Sequence, residues 1–399
     1  MDLEVIPMHV TNVEVIDNIL KEFGFLSVLF GSKPKQENFL ALFLGITLCP
    51  SATVSAIAEW LGGWKNQSSL NRFLTQTQWK VSLFYEKYFG WMKKKIHETN
   101  GIVYFILDDS KSTKTGDSIE KVVRDFDHNE NRQVLCHPFV VSLIKLSGFE
   151  LPFQLTLYDK TKKGQPNFKS KLDIAIKQFR DFLRQIKPDK KRVIVLFDAW
   201  YCAQKFISTL PKWVGWVSRP KKNRLVKIDG FWYSLKELQR RVKSWDYRRV
   251  KVGNSYFWAC YLRVEMKNLG MVTLVLAKPS KYSRSVEFFV SNMEVSAEEI
   301  LRHYAERWDI EVFFRTAKQN LGLDGYQMRK YKGNRRYWAL VLLSYAILSV
   351  LQCKWKKTCK TIGDTIAKLR MSLQKLTQNY GISFGELIEI YVAAKNAKL

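Results

Sequence analysis

The chain has 399 residues, 46% hydrophobic and 26% charged, a composition that excludes disorder and fits a globular protein of about two or three domains. Lys and Arg number 65 against 37 Asp and Glu, so the formal charge is +28, and 14% of the residues are aromatic. Such a cationic chain points to a polyanionic partner, nucleic acid before an anionic membrane, because cationic surface attracts phosphates and releases their counterions to solution.

Other classes are set aside by pattern. Residues 1–18 carry acids and lack the basic-then-apolar order of a secretory peptide. The longest apolar stretch, Trp338 to Leu351, contains Ser344 and Ser349 and is too short to span a bilayer, so it reads as a buried helix with no membrane role. Cys49, Cys136, Cys202, Cys260, Cys353 and Cys359 are scattered with no C-x2-C pair, which argues against a disulfide framework or a cysteine zinc site and fits a reducing cytoplasm. The sequence has no H-E-x-x-H, no Walker A and no G-x-G-x-x-G.

In chain order, residues 1–97 read as a helical region. Glu37 to Leu48 is an apolar helix stopped by Pro50, and Ser51 to Leu61 is a second helix ended by Gly62-Gly63. Ser68 is placed to cap a third, bearing Leu70, Phe73 and Leu74; two short helices about a glycine turn suit a helix-turn-helix or a plain bundle equally. Ile102 to Leu107 reads as a buried strand ending at Asp108-Asp109-Ser110. Phe139 to Leu146 and Phe149 to Tyr158 read as a hairpin turning at Ser147-Gly148. An amphipathic helix over Asn167 to Ile186 follows, then a strand from Arg192 to Phe197 that ends at Asp198, a helix from Ala199 to Leu210 and a strand from Trp213 to Ser218. The order is β-β-β-α-β-α-β.

Lys227 to Trp232, Arg248 to Val252, Tyr256 to Val264, Met271 to Leu276 and Val286 to Val290 read as short strands of a β-rich insertion. Ser296 then caps one helix through about Leu321. It is followed by the basic segment Arg329 to Arg336, the apolar helix from Tyr337, and a helical tail from about Thr361. The expected division is residues 1–97 as a helical DNA-binding region, 98–218 with 293–352 as a catalytic core, 219–292 as the insertion, and 353–399 as the tail.

At 100° per residue, Tyr304, Arg307, Glu311 and Lys318 fall on one stripe of the helix beginning at Ser296, beside an apolar stripe of Ile310, Phe313, Phe314, Ala317 and Leu321. Alone, Arg307 and Glu311 are an ordinary solvated i,i+4 pair. Together with Asp108 or Asp109 at one strand end and Asp198 at another, Glu311 makes an acidic set of hard oxygen donors suited to Mg2+. Two such ions can activate an attacking oxygen and stabilise a leaving one.

The segment Tyr304-x2-Arg307-x3-Glu311-x6-Lys318 resembles the YREK signature of the insertion-sequence-4 family of DDE transposases. ILDDSKSTKTG (106–116), VLFDAWYC (195–202) and WVSRPKKNR (216–224) are similar to that family's first-aspartate, second-aspartate and following basic motifs. The resemblance covers roughly residues 50–340. It implies an α/β fold with a ribonuclease-H-like mixed-sheet core, a β-rich insertion and a helical N-terminal region. It implies that Asp198 and Glu311 bind Mg2+ (or Mn2+) with either Asp108 or Asp109 as the first acid, leaning to Asp108. Tyr304, Arg307 and Lys318 would contact phosphates, and Lys221, Lys222 and Arg224 are further candidates, as is the cluster Arg329, Lys330, Lys332, Arg335 and Arg336. The family stacks an extruded base on an aromatic residue, and Trp232, Trp245 and Trp258 stay open for it. His128 and His137 read as structural or surface residues.

The implied protein is a transposase. It would cut the terminal inverted repeats of double-stranded DNA, through a hairpin, and join them to target DNA as a homodimer in the bacterial cytoplasm, at the nucleoid. A ribonuclease-H-like nuclease that does not join, and a retired DNA-binding derivative, are the alternatives.

Overall fold

A computed structural model of the chain describes residues 29–30, 32–127, 131–189 and 192–389. His128 and the first 28 residues lie outside the described residues.

Four helices come first: α1 (Lys33–Leu48), α2 (Val54–Trp60), α3 (Gln67–Thr75) and α4 (Val81–His97). The α3 cap is Asn66, whose side chain accepts from the Ser69 amide, so the helix starts before the expected Ser68. A long strand β1 (Val103–Thr113) follows, then β2 (Val123–Asp127), β3 (Arg132–Leu146) and β4 (Phe149–Leu157). β1 does not stop at its aspartates. It pairs with β3 from Tyr104↔Lys145 to Thr113↔Cys136, and the ladder carries the polar DDSKST segment as strand. The β3–β4 hairpin turns at Gly148, whose φ of +105° requires glycine.

Helix α5 (Lys171–Ile186) begins with a reciprocal Ser170–Asp173 capping box, four residues later than the apolar spacing suggested. It leads into β5 (Val193–Phe197), the short α6 (Gln204–Ile207) and β6 (Gly215–Ser218). The expected helix at Ala199 is replaced by a turn, because Asp198 Oδ1 accepts from the amides of Trp200 and Tyr201 and so competes with the first helical turn. β5 runs parallel to β1 and β6 parallel to β5.

The β-rich segment holds β7 (Leu225–Ile228), β8 (Phe231–Ser234), α7 (Leu235–Arg241), β9 (Arg248–Val252), β10 (Ser255–Met266), β11 (Gly270–Lys278) and β12 (Glu287–Ser291). The single strand expected over Lys227 to Trp232 is a hairpin, turned at Asp229-Gly230 with both residues at positive φ. These strands extend the core sheet: β12 pairs with β6, giving the order β2-β3-β1-β5-β6-β12-β11-β10-β7-β8, with β4 on β3 and β9 on β10.

The helix expected from Ser296 to Leu321 is two, α8 (Ala297–Ala305) and α9 (Trp308–Leu321). At the junction the amides of Glu306, Arg307, Asp309 and Ile310 each bond three residues back, tightening the turn. Lys145 of β3 binds both Glu306 and Asp309 there. Tyr304 therefore lies on one helix and Glu311 on the next, and the single 100° stripe does not hold across the break.

α10 (Tyr331–Lys354) starts six residues before the expected Tyr337, and α11 (Ile362–Tyr380) follows. By length and composition α10 could cross a membrane, but 83% of its apolar window is buried within the structure. It packs on β4, α1, α3 and α11, so the N-terminal helices share one apolar core with the sheet.

Arg336 of α10 is fully buried. It donates to the carbonyls of Phe73, Leu74, Thr77 and Trp79 at the end of α3. It is therefore a structural clamp and not a phosphate contact, which corrects its place in the basic cluster. Replacing it with Met leaves several buried acceptors unpaired, so Arg336→Met should cost about 3 kcal/mol or more in chemical denaturation. Arg335→Met, one residue away on the exposed face, should change stability by less than ~0.5 kcal/mol. Equal effects of the two would remove the clamp.

Candidate active site

The site is set by the two-residue period of β1. On one face, Tyr104 Oη meets His303 Nδ1 of α8 at 2.8 Å and Asp108 Oδ2 accepts from Arg307 Nη1 at 2.9 Å. On the other, Phe105 packs against Phe179 and Phe182 of α5, and Asp109 is bound by Lys171 of the same helix. The adjacent aspartates thus point to opposite sides of the sheet.

Arg307 also binds Glu311 through Nη2, so one guanidinium joins Asp108 to Glu311. Asp198 follows β5 directly, and β5 is in register with β1 at Leu107↔Phe197, which brings Asp198 to the same sheet edge. Burial pushes the Asp108 carboxyl up to about 7; Arg307 opposes this and the Asp198 charge adds to it. Asp198 is also raised, mainly by burial, against the two amides it accepts from.

Asp109 lies at the side of this group. Its second oxygen accepts from the hydroxyl of the buried Tyr201 at 3.2 Å, and the Tyr201 amide in turn donates to Asp198. Lys171 and Lys145 have no signal in the sequence, and Tyr201, though part of the VLFDAWYC segment, gives no local sign of its bond to Asp109. They are separated from the acids they hold by up to about 160 positions, and only the sheet brings them together.

The remaining candidates are distributed. Tyr304 is half-buried against the Phe289 ring, with centroids at 5.0 Å, and burial pushes its hydroxyl up to about 12. Lys318 donates to the Lys111 carbonyl at 2.7 Å and lies 3.7 Å from Asp324, so it ties α9 to β1. Arg224 donates to the Cys202 carbonyl, while Lys221 and Lys222 are exposed. Trp245 is the most exposed of the three tryptophans, Trp232 is less so and Trp258 is half-buried. His137 is buried between Tyr326 Oη at 2.6 Å and the Glu120 carbonyl at 2.9 Å, a structural role. The six cysteines are unpaired.

Three carboxylates from β1, the end of β5 and α9 are the hard-oxygen donor set that a divalent cation requires. In the arrangement described, Arg307 stands between two of them, and among the described residues no three His, Cys, Asp or Glu side chains are close enough to share one ion. The donor chemistry fits a metal, and the counter-charge now present is Arg307.

Comparison with known proteins bears on this arrangement. The family described as DDE superfamily endonuclease matches residues 26–228, and the one described as transposase DDE domain matches residues 175–347. The chain belongs to the DDE endonuclease superfamily. Its fold is similar to that of piggyBac transposase in a synaptic complex with hairpin DNA, with a TM-score of 0.50 at 12% identity over 91% of this chain and 78% of that one. This supports a ribonuclease-H-like DDE fold for the mixed sheet and its helices. The NurA nuclease from Sulfolobus solfataricus matches 69% of this chain and 93% of its own at 11% identity, but with a TM-score of 0.25 it carries no argument. No curated protein matches the sequence.

The raised Asp108 carboxyl makes a pH prediction. Between its ordinary value of 3.8 and about 7, the folded chain holds a proton that the unfolded chain has lost. Stability contributed by this group therefore falls as pH rises through that window, by an amount on the order of a few kcal/mol. In metal-free buffer, melting curves of the native protein and Asp108→Asn between pH 4 and pH 8 should diverge in the variant's favour as pH rises. Parallel curves would show that Asp108 ionises normally in the fold.

Proposed function

We propose that the chain is a DNA transposase of the insertion-sequence-4 type, with Asp108, Asp198 and Glu311 as its metal-binding acids. The observation that carries this reading is the bridge from Asp108 to Glu311 through Arg307, beside Asp198, on one edge of the sheet. Asp109, turned to the opposite face, is a positioning residue: it holds Tyr201, whose amide fixes Asp198.

A divalent cation, Mg2+ or Mn2+, held by these three acids would supply Lewis acidity at the reacting phosphate. The chain's own residues do the rest. The acids orient the nucleophile by their fixed placement on rigid strands and a helix. Arg307 is the guanidinium placed to meet phosphate oxygen at the same point, through charge-assisted bonds. Tyr304, packed on Phe289, lines the approach, and Lys318 holds α9 against β1.

In the first reaction water adds to phosphorus and the 3′ oxygen leaves with a proton, nicking one strand at a transposon end. In the second the freed 3′-OH attacks the opposite strand, giving a hairpin and releasing the flank. After hydrolysis reopens the hairpin, the 3′-OH attacks target DNA. Each step exchanges one phosphodiester oxygen for another with no covalent link to protein. Two ends imply a homodimer on paired terminal repeats, working in the bacterial cytoplasm.

Asp108→Ala, Asp198→Ala and Glu311→Ala should each bring Mg2+-dependent nicking of a labelled end to background, with end binding in a gel shift within a few-fold of native. Asp109→Ala should slow nicking without abolishing it. Near-native nicking by any of the first three, or a dead Asp109→Ala beside an active Asp108→Ala, would overturn the assignment. A pre-cut end offered with target DNA tests joining separately from cleavage.

Arg307→Ala should lower single-turnover cleavage about 10- to 150-fold, the equivalent of one lost charge-assisted contact of ~1.5–3 kcal/mol. Unchanged cleavage would leave Arg307 as a mere counter-charge to the acids.

A further inference from the structure

The α5 face of the sheet edge carries a feature that the acids do not use. A half-open groove of about 830 Å3 runs along α5 and the end of β4. Six cations line it: Lys121, Lys162, Lys169, Lys177, Arg180 and Arg184. The three carboxylates that share the lining are already engaged. Asp159 is bound by Lys121 at 2.8 Å, Asp173 by Lys205 at 2.7 Å, and Asp181 by Lys177 and Arg184. Lys162, Lys169 and Arg180 have no ion-pair partner among the described residues. Lys169 and Arg180 are exposed, and Lys162 is half-exposed.

One end of the groove, at Leu157 and Asp159, lies at the sheet edge that carries the aspartates. β4 runs parallel to β1, so its end, Leu157, lies at the same sheet edge as the aspartates. Tyr158 and Asp159 follow it, and Lys171, bound to Asp109, sits 5.7 Å from the Tyr158 ring and 5.5 Å from the Trp200 ring. From there Lys177, Arg180 and Arg184 recur at helical spacing down one side of α5. That stripe is about 10 Å long, the rise of about three phosphates along one strand. A second hollow continues it, sharing Thr156, Leu157, Lys177 and Tyr331 and adding Arg335.

We propose that this groove binds the phosphate backbone of duplex DNA on the far side of the reacting phosphate, the position of target DNA during joining. The inference rests on the transposase reading. Duplex is favoured over single strand because the groove lining offers six cations and one ring, Tyr331, which is half-buried with the Lys121 ammonium 4.3 Å from its centroid. Arg307 and Tyr304 stand on the opposite face of β1, so the two faces would grip DNA on either side of the reacting phosphate.

The probe is a 30-bp duplex of arbitrary sequence, titrated by fluorescence anisotropy in EDTA between roughly 50 and 200 mM salt. The protein is the full chain. Lys162→Ala, Lys169→Ala and Arg180→Ala combined should weaken binding at least about 30-fold at the lowest salt and reduce the salt slope by about 2–3, the value for three phosphates. Lys162→Arg, Lys169→Arg and Arg180→Lys combined should restore both. A control that removes the same charge elsewhere, Lys356→Ala, Lys357→Ala and Lys375→Ala, should keep the native slope.

An unchanged slope in the groove variant, or an equal loss in the control, would overturn the groove. A chain in which the charge-preserving variant also loses binding would overturn it too. Because the measurement needs no metal and no cleavage, it stands apart from the nicking assays, whose failure would remove the catalytic reading and leave the binding result unaffected.

Discussion

The pleat of β1 is the constraint on which the site depends. Alternation along Tyr104, Phe105, Asp108 and Asp109 sends two of these residues toward α8 and α9 and two toward α5. A slip of one residue against β3 or β5 would exchange the faces. It would put Tyr104 among the phenylalanines of α5 and present Asp109 to Arg307. What prevents the slip is apolar: Phe105 is locked among Phe153, Phe179 and Phe182, and all four are buried. The position of a carboxylate is therefore decided by a cluster of rings below it.

Much of this could be read from the sequence, because strand and helix periods are local properties. The apolar runs ending near Asp108 and at Asp198, the amphipathic α5 and the apolar α10 all announce themselves within about twenty residues. The choice between Asp108 and Asp109 could not be read, since the strand was expected to end before them and residues past a strand end have no fixed face. β3, longer than its apolar part, keeps β1 extended to Thr113, and that extension is what separates the two aspartates. The break between α8 and α9 was hidden for a similar reason: its sequence is good helix, and the tightening coincides with the grip of Lys145 on Glu306 and Asp309 from a distant strand. Arg336 looked like one more surface cation because nothing local reveals the four carbonyls that receive it.

The charge distribution follows the same logic. A chain of +28 places its cations in two populations. Lys145, Lys171 and Arg336 are partly or fully buried and matched to carboxylates or carbonyls, so they serve shape and position. Lys162, Lys169, Arg180, Lys221 and Lys222 reach solvent and are the ones available to a polyanion. Counting Lys and Arg identifies the class of partner, and burial shows which residues can meet it.

The two faces of the sheet edge are not independent. Asp109 lies on the α5 side, yet it accepts from the Tyr201 hydroxyl, and the Tyr201 amide donates to Asp198, which feels the charges of both Asp109 and Arg307. Tyr201 is fully buried, and burial with three neighbouring carboxylates holds its hydroxyl well above the usual range, so it stays a donor at any working pH. One buried hydroxyl thereby links α5, through Asp109, to the turn that carries Asp198. The doubled aspartate in β1 then has a physical reason: one carboxylate belongs to the acidic group, and its neighbour ties that group to the helix on the other side.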